Sequence, residues 1–355
     1  MEFNIRRGCI VAIETPFRED GEIDWSGLEL HLEFLIDQKA VGVAQVGTTG
    51  ESPTLTEREH IMVVGRVAQI VGERLFKLAG VGSNNPQEML DYLEAASIFG
   101  CDGGLLVDCY YNGPSSLELR ENYYTPAAEK FPQMVICPYV IPGRTGTVLS
   151  EVDLAVLAWK YPNIAMVKEA TGDLERMRRT RELTPEGFLI FSGDDDITFT
   201  MLTDPAILAD GVVSVMGNIV PGPIQQMCEA VFSGDIERSR KIREALNPLF
   251  GLVTVKKERK EIVPHRGEQT VIDKFRNPDA IKTMMAGLGL PSGLGRPPLG
   301  KMTASAVEEV RNALIRVWNE NQWVLEPIQD FYKVDIPGRL ADNKIWAELT
   351  FQGGG

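Results

Sequence analysis

In the stretch "IAMVKEATG" (164–172), four apolar residues run directly into a lysine. Such a run reads as a short buried strand, and an ammonium at its end is costly unless it is paired or neutralised. Burial favours the neutral form of an amine, and a neutral amine adds to a carbonyl to give a Schiff base. The protonated imine is then an electron sink for carbanion chemistry. Lys168 is therefore the first catalytic candidate. Making and breaking a Schiff base requires a proton shuttle, for which Tyr139 and a threonine hydroxyl are suited. Arg144, in "PYVIPGRTG" (138–146), suits a substrate carboxylate, which a guanidinium grips bidentately.

Each of these residues has a plainer alternative. Lys168 would also be stable as a structural lysine bridged to a buried carboxylate such as Glu51. The tyrosines would serve as ordinary packing, Thr48-Thr49-Gly50 as a strand-to-helix turn, and Arg144 as an exposed loop residue. What weakens these alternatives is placement at one rim, and placement is a question of fold.

Short apolar segments alternate with amphipathic ones along the first 232 residues. The strand candidates are Cys9–Ile13, Val41–Val46, Phe76–Val81, Gly103–Val107, Met134–Pro138, Ile164–Val167, Phe188–Phe191 and Val212–Val215. Helical patterns between them include Trp25–Asp37, Thr56–Val71, Pro86–Phe99, Ser116–Lys130, Glu151–Lys160 and Asp173–Arg181, the second opening on a capping-box spacing at Thr56-Glu-Arg-Glu59. Eight strands with helical crossovers predict an α/β chain folded as a (β/α)8 TIM barrel. A doubly wound nucleotide-binding sheet would carry a Gly-rich phosphate loop after its first strand, and none is visible. Catalytic groups of such a barrel sit at the C-terminal ends of its strands. Those ends carry "VGTTGES", "DCYYNGP", "PYVIPGRTG", "KEATG" and "SGDDD", so one rim collects Lys168, several tyrosines and threonines, Arg144 and several glycines, with no histidine.

Beyond Ser233 the character changes. Residues 233–320 read as a helical C-terminal region, with helices at Gly234–Phe250, Asp279–Leu288 and Ala304–Asn319. A polar, charged insert at 255–275 reads as a solvated helix and loop. Residues 321–355 form an extension whose aromatics argue for packing on its own subunit or on a neighbour, with its final Gly-Gly-Gly frayed. The chain of 355 residues is 44% hydrophobic and carries a net charge of −14, which disfavours nucleic acid and anionic membrane as partners. Five dispersed cysteines without a CxxC pair suggest buried thiols in a reducing compartment. Three scattered histidines give no metal-ligand spacing, and no segment reaches membrane-spanning length, so a cytoplasmic, metal-free protein is expected.

"GTTGES", "YYNGP", "YVIPGRTG", "KEATG" and "SGDDD" occur in the order and spacing of the dihydrodipicolinate synthase / N-acetylneuraminate lyase family, which the chain resembles strongly over Arg7–Val231 and more weakly over Asn277–Asn319. The resemblance implies that Lys168 is the lysine that binds pyruvate without any cofactor. It implies that Tyr139 is the proton donor and acceptor, relayed through Thr48 to a Tyr111 supplied by an adjacent subunit. Thr49 and the backbone at Val213 would hold the carboxylate and keto end of pyruvate. "GRTG" and "KEATG" resemble the family's lysine-biosynthetic synthases, in which Arg144 would hold the carboxylate of aspartate semialdehyde. Val140, where those synthases commonly carry asparagine, and Gly143 depart from the pattern.

The resemblance further implies a homo-oligomer, a dimer or tetramer. It also implies a lysine-binding regulatory cleft at Ser52, His60, Asn84, Glu88 and Tyr110, although Glu57 stands where some inhibited members have histidine. The rival enzyme is a pyruvate lyase or aldolase acting on a 2-keto-3-deoxy sugar acid or a sialic acid type of substrate. A rival of another class is a keto-acid-binding barrel without turnover.

Overall fold

The computed structural model describes residues 3–351. Its centre is a closed barrel of eight parallel strands: β1 (Gly8–Ala12), β2 (Gly42–Gln45), β3 (Phe76–Gly80), β4 (Gly103–Val107), β5 (Val135–Val140), β6 (Met166–Glu169), β7 (Leu189–Ser192) and β8 (Gly211–Ser214). Each pairs with the next, and β8 returns to β1 with Val213 opposite Ile10. Strands covered on both faces are mostly apolar, which is why they read as short hydrophobic runs. Ile10, Leu78, Leu105, Met166 and Phe191 fill the interior, making it a packed core.

The crossover helices form the outer layer. Trp25–Asp37 and Glu151–Lys160 keep the expected bounds. Glu57–Val71 starts at the expected capping box: the Thr56 hydroxyl accepts from the Glu59 N–H while the Glu59 carboxylate accepts from the Thr56 N–H. The helix expected over Ser116–Lys130 is broken into Ser116–Leu119, a π-helical turn at Arg120–Tyr124, and Thr125–Lys130. Pro126 has no N–H to give to the preceding turn, so the ladder widens just before it.

The region after the barrel departs from expectation at 255–275. In place of a solvated helix and loop stands an antiparallel hairpin of β9 (Thr254–Val263) and β10 (Gly267–Arg276). Its foot is anchored by the cross-strand pair of Val255, buried against the core, and Phe275. Further out the packing-side face is held by charge: Arg259 reaches Asp273 at 2.6 Å and Lys257 reaches Glu309 at 2.7 Å. The helices Asp279–Leu288 and Ala304–Glu320 follow.

Of its two expected sites, the extension takes its own subunit. Short helices at Glu326–Tyr332, Ile336–Ala341 and Asn343–Glu348 fold back on the chain. Tyr332 Oη lies 2.8 Å from His31 Nδ1, and Phe331 and Tyr332 both pack against Phe34. The Trp346 indole, 3% exposed, donates to the Arg339 carbonyl at 3.0 Å. The terminal Gly353–Gly355 run, expected to fray, lies outside the described residues.

Candidate active site

At the C-terminal mouth of the barrel is a cavity of about 190 Å³ lined by Lys168, Tyr139, Thr48, Thr49, Arg144 and Asn277, among others. A larger hollow of about 440 Å³, between Trp25, Met62 and Phe99, offers no nucleophile.

β5 and β6 run side by side with Tyr139 opposite Lys168. Residues in parallel register point to the same face, so both side chains enter the mouth together. They are 5% and 4% exposed, and Lys168 Nζ lies 4.1 Å from the centre of the Tyr139 ring. Among the described residues Lys168 has no ion-pair partner. Nor is it the lysine that holds Glu51. That role belongs to Lys282, fully buried, whose Nζ lies 2.7 Å from Glu51 Oε1 and 3.3 Å from Glu14 Oε2. The neighbouring Glu169 points to the outer face, where Arg176 Nε meets it at 3.1 Å and ties β6 to the helix at Glu151–Lys160.

The threonine turn is set by a strained backbone. Val46, at the end of β2, has φ +53, a left-handed conformation that β-branched residues rarely adopt. The strand alongside makes room for it. A Cβ on Gly80 would lie 2.3 Å from the Val46 carbonyl oxygen, so only glycine fits there. The following turn brings Thr48 and Thr49 to the cavity. Thr49 Oγ1 accepts a hydrogen bond from Asn277 Nδ2 at 3.0 Å, which leaves the threonine's own proton free to donate. Asn277 Oδ1 is buried without a partner beside the same cavity.

Arg144 occupies a short helical turn, Pro142–Thr145, at the mouth. Its Nη2 donates to the Asn277 carbonyl at 3.0 Å. Although accessible from the mouth, the guanidinium is flanked closely enough for desolvation, and then Arg276, to pull its pKa down. Asp194 also lines the cavity. Burial and then the Asp196 charge push its carboxyl up to about 6, against the opposing pull of Lys168. Its neighbour Asp195 is structural: it accepts from the Ser214 hydroxyl and from the Val215 and Met216 N–H groups.

Two expected members are not among the residues lining the cavity. The Val213 side chain belongs to the apolar cluster that also holds Tyr139, and the β8-side residue lining the cavity is Val215. Tyr111 is 86% exposed and outside the cavity. Among the described residues no hydrogen bond joins Thr48, Tyr139 and Tyr111, so the proton relay is not closed within one chain.

The expected regulatory residues cluster in part. Burial lowers the His60 pKa to about 4, and the ring stacks on Tyr92 with centroids 4.0 Å apart. His60 Nε2 faces the Gly80 carbonyl at 2.8 Å. The Glu88 carboxylate accepts from the Ser83 and Tyr92 hydroxyls, and Asn84 Oδ1 accepts from the Tyr110 N–H at 2.7 Å. Ser52 opens a short 3-10 turn after the threonines. Among the described residues no group of three or more His, Cys, Asp or Glu side chains is placed to hold a metal ion.

The family model described as the dihydrodipicolinate synthetase family matches residues 6–316. The chain belongs to the dihydrodipicolinate synthetase family. It is 35% identical over 309 residues to the 4-hydroxy-tetrahydrodipicolinate synthase of Cellvibrio japonicus, a match covering 87% of this chain and 98% of that one. The solved 4-hydroxy-tetrahydrodipicolinate synthase of Methylacidiphilum fumariolicum SolV superposes with a TM-score of 0.80 at 33% identity, covering 91% of this chain and 99% of that one. The lysine-bound enzyme of Cyanidioschyzon merolae gives 0.79 at 32% identity, covering 89% and 99%.

The sequence reading missed Asn277, Asp194, Lys282 and the hairpin. The Asp-rich "SGDDD" was a usable signal for Asp194. Asn277 carried none, since only the fold brings it to Thr49, 228 positions away.

Proposed function

We propose that the protein catalyses the condensation of pyruvate with aspartate semialdehyde, the reaction of 4-hydroxy-tetrahydrodipicolinate synthases. The observation that carries this reading is Lys168 set against Tyr139 in a buried mouth that also holds Thr49 and Arg144. The names of the family relatives support it. The Lys168 amine attacks the keto carbon of pyruvate, and the carbinolamine loses water to give a protonated imine. Loss of a methyl proton yields an enamine, whose carbon attacks the aldehyde while the new oxyanion takes a proton. The amine of the semialdehyde portion then attacks the imine carbon, closing the ring and returning Lys168 to its free form.

Tyr139 is the proton carrier at the imine, linked through Thr48 to a Tyr111 from another subunit. The acting form is therefore a homo-oligomer. Thr49 donates to the pyruvate carboxylate, and Arg144 takes the carboxylate of the semialdehyde. Borohydride reduction in the presence of pyruvate, followed by mass spectrometry, tests the reading. A pyruvyl adduct at Lys168 is expected, and its absence removes the Schiff-base mechanism. Assay of aspartate semialdehyde against sugar aldehydes then decides between the synthase and a sugar-acid aldolase.

We further propose that Ser52, His60, Asn84, Glu88 and Tyr110 belong to a lysine-binding regulatory site. A carboxylate, an amide and hydroxyls suit an amino-acid zwitterion, and the Cyanidioschyzon merolae relative was solved with lysine bound. Initial rates that do not change in millimolar lysine would remove this assignment.

A further inference from the structure

The two faces of the β9–β10 hairpin are charged in opposite ways. Side chains alternate across a strand, so Thr254, Lys256, Lys274 and Arg276 share one face while Val255, Lys257, Arg259, Asp273 and Phe275 share the other. On the second face every charge near the foot is matched: Arg259 meets Asp273 and Lys257 meets Glu309. On the first face Lys274 stands directly opposite Lys256, a cross-strand placement that is unfavourable for like charges. Among the described residues neither of them, nor Arg276, nor Arg144, has an ion-pair partner. The nearest acid on that face, Glu258, lies further out opposite Ile272 and makes no ion pair either.

This unbalanced face is the one turned to the active site. Thr254, Lys274 and Arg276 line the same cavity as Lys168 and Arg144. The foot of the hairpin is locked there by a reciprocal pair of bonds: Arg276 donates to the Gly143 carbonyl at 3.2 Å, and Arg144 donates to the Asn277 carbonyl at 3.0 Å. Each guanidinium keeps further N–H donors for a ligand. The cations feel one another, since Arg276, Lys256 and Arg144 all lower the Lys274 pKa. Two acids lie nearby, Asp194 and Asp279, and burial pushes both up to about 6, so above that pH they offset part of the charge of the four cations without pairing with any of them.

We propose that Lys274 and Arg276 are specificity-determining residues that join Arg144 in a three-cation wall, selecting an acceptor aldehyde through its carboxylate and favouring dicarboxylate ligands. This rests on the Schiff-base reading for the chemistry, but the anion subsite is a property of the wall alone. One guanidinium satisfies one carboxylate; the surplus charge gathers acidic acceptors and stabilises a product that carries the carboxylates of both substrates.

The test uses the full-length enzyme with Lys274→Gln, Arg276→Gln, the double variant and the charge-keeping Arg276→Lys. The double variant should raise the KM for aspartate semialdehyde about tenfold or more, leave the KM for pyruvate within about twofold, and flatten the salt dependence of kcat/KM. Arg276→Lys should recover most of the loss. In parallel, titration calorimetry of glutarate, a dicarboxylate that cannot react, onto pyruvate-trapped and untreated enzyme should show binding weakened about tenfold in the double variant. Glutarate affinity and acceptor KM that are both unmoved by the double variant would overturn the proposal, as would failure of the parent enzyme to bind glutarate. A parent enzyme that binds glutarate but traps no pyruvate would instead overturn the catalytic reading and leave the subsite standing.

Discussion

Lys168 Nζ lies 4.1 Å from the centre of the Tyr139 ring, and the two residues are register partners on adjacent strands. The Tyr139 ring packs against the lysine, and in the proposed mechanism its hydroxyl is the proton carrier at the imine. Tyr139→Phe keeps the ring and removes the proton. It should lower kcat/KM by roughly 10²–10⁴ while still giving a borohydride-trapped pyruvyl adduct, only more slowly. Lys168→Ala should give no adduct at any time. A Tyr139→Phe enzyme with near-parental rates would end the shuttle assignment.

Tyr111 is 86% exposed on its own chain, so Tyr111→Phe should leave thermal stability within about half a kcal/mol while lowering turnover. If the residue acts across an interface, the defect must be complementable. Mixing Tyr111→Phe with Lys168→Ala subunits, each nearly inactive, should restore activity by forming sites with one intact Lys168 and one intact Tyr111. Hybrid oligomers that remain inactive would place the relay elsewhere.

Asn277 holds Thr49 by donating from Nδ2, which fixes the direction of the threonine's own proton. Asn277→Ala releases that hydroxyl, and a hydrogen bond of about 1 kcal/mol corresponds to a pyruvate KM raised roughly fivefold. Asn277→Asp reverses the bond and places a carboxylate beside the one being bound, so it should be worse. The ranking parent, Ala, Asp in pyruvate affinity is the readout; an Asp variant better than Ala would contradict it.

The legible and illegible parts of this chain differ in what held them together. β4, Trp25–Asp37, Glu151–Lys160 and Asp279–Leu288 have the bounds expected of them, because each is fixed by its own apolar pattern or cap. Lys168, Tyr139, Thr49 and Arg144 could be grouped in advance because strand ends of a barrel share one rim, and they line one cavity. The hairpin was not legible, since its buried contribution is confined to Val255 and Phe275 and the rest of its packing face is ionic pairing invisible to hydrophobic periodicity. For the same reason the true partner of Glu51 was not visible: Lys282 reaches it from 231 positions away only once the C-terminal helices close on the barrel.

That Lys282 centre makes a pH prediction of its own. One ammonium faces two buried carboxylates, and burial, reinforced by Glu51, pushes Glu14 up to about 8 despite the pull of Lys282. Between the ordinary glutamate value near 4.3 and about 8, folded Glu14 keeps a proton that the unfolded chain has released. The folded state then binds more protons, so this contribution to stability falls as pH rises across that window. His31 and His60 act in the opposite sense lower down: burial lowers both to about 4, so their contribution is lost as pH falls from about 6.5 towards 4. Glu14→Gln isolates the first effect, because glutamine is neutral at every pH and similar in shape. Its Tm relative to the parent should rise steadily from pH 5 to pH 8.5, measured by thermal melts in matched buffers. A constant offset across that range would mean that Glu14 is already ionised at pH 5 and that Lys282 carries both charges.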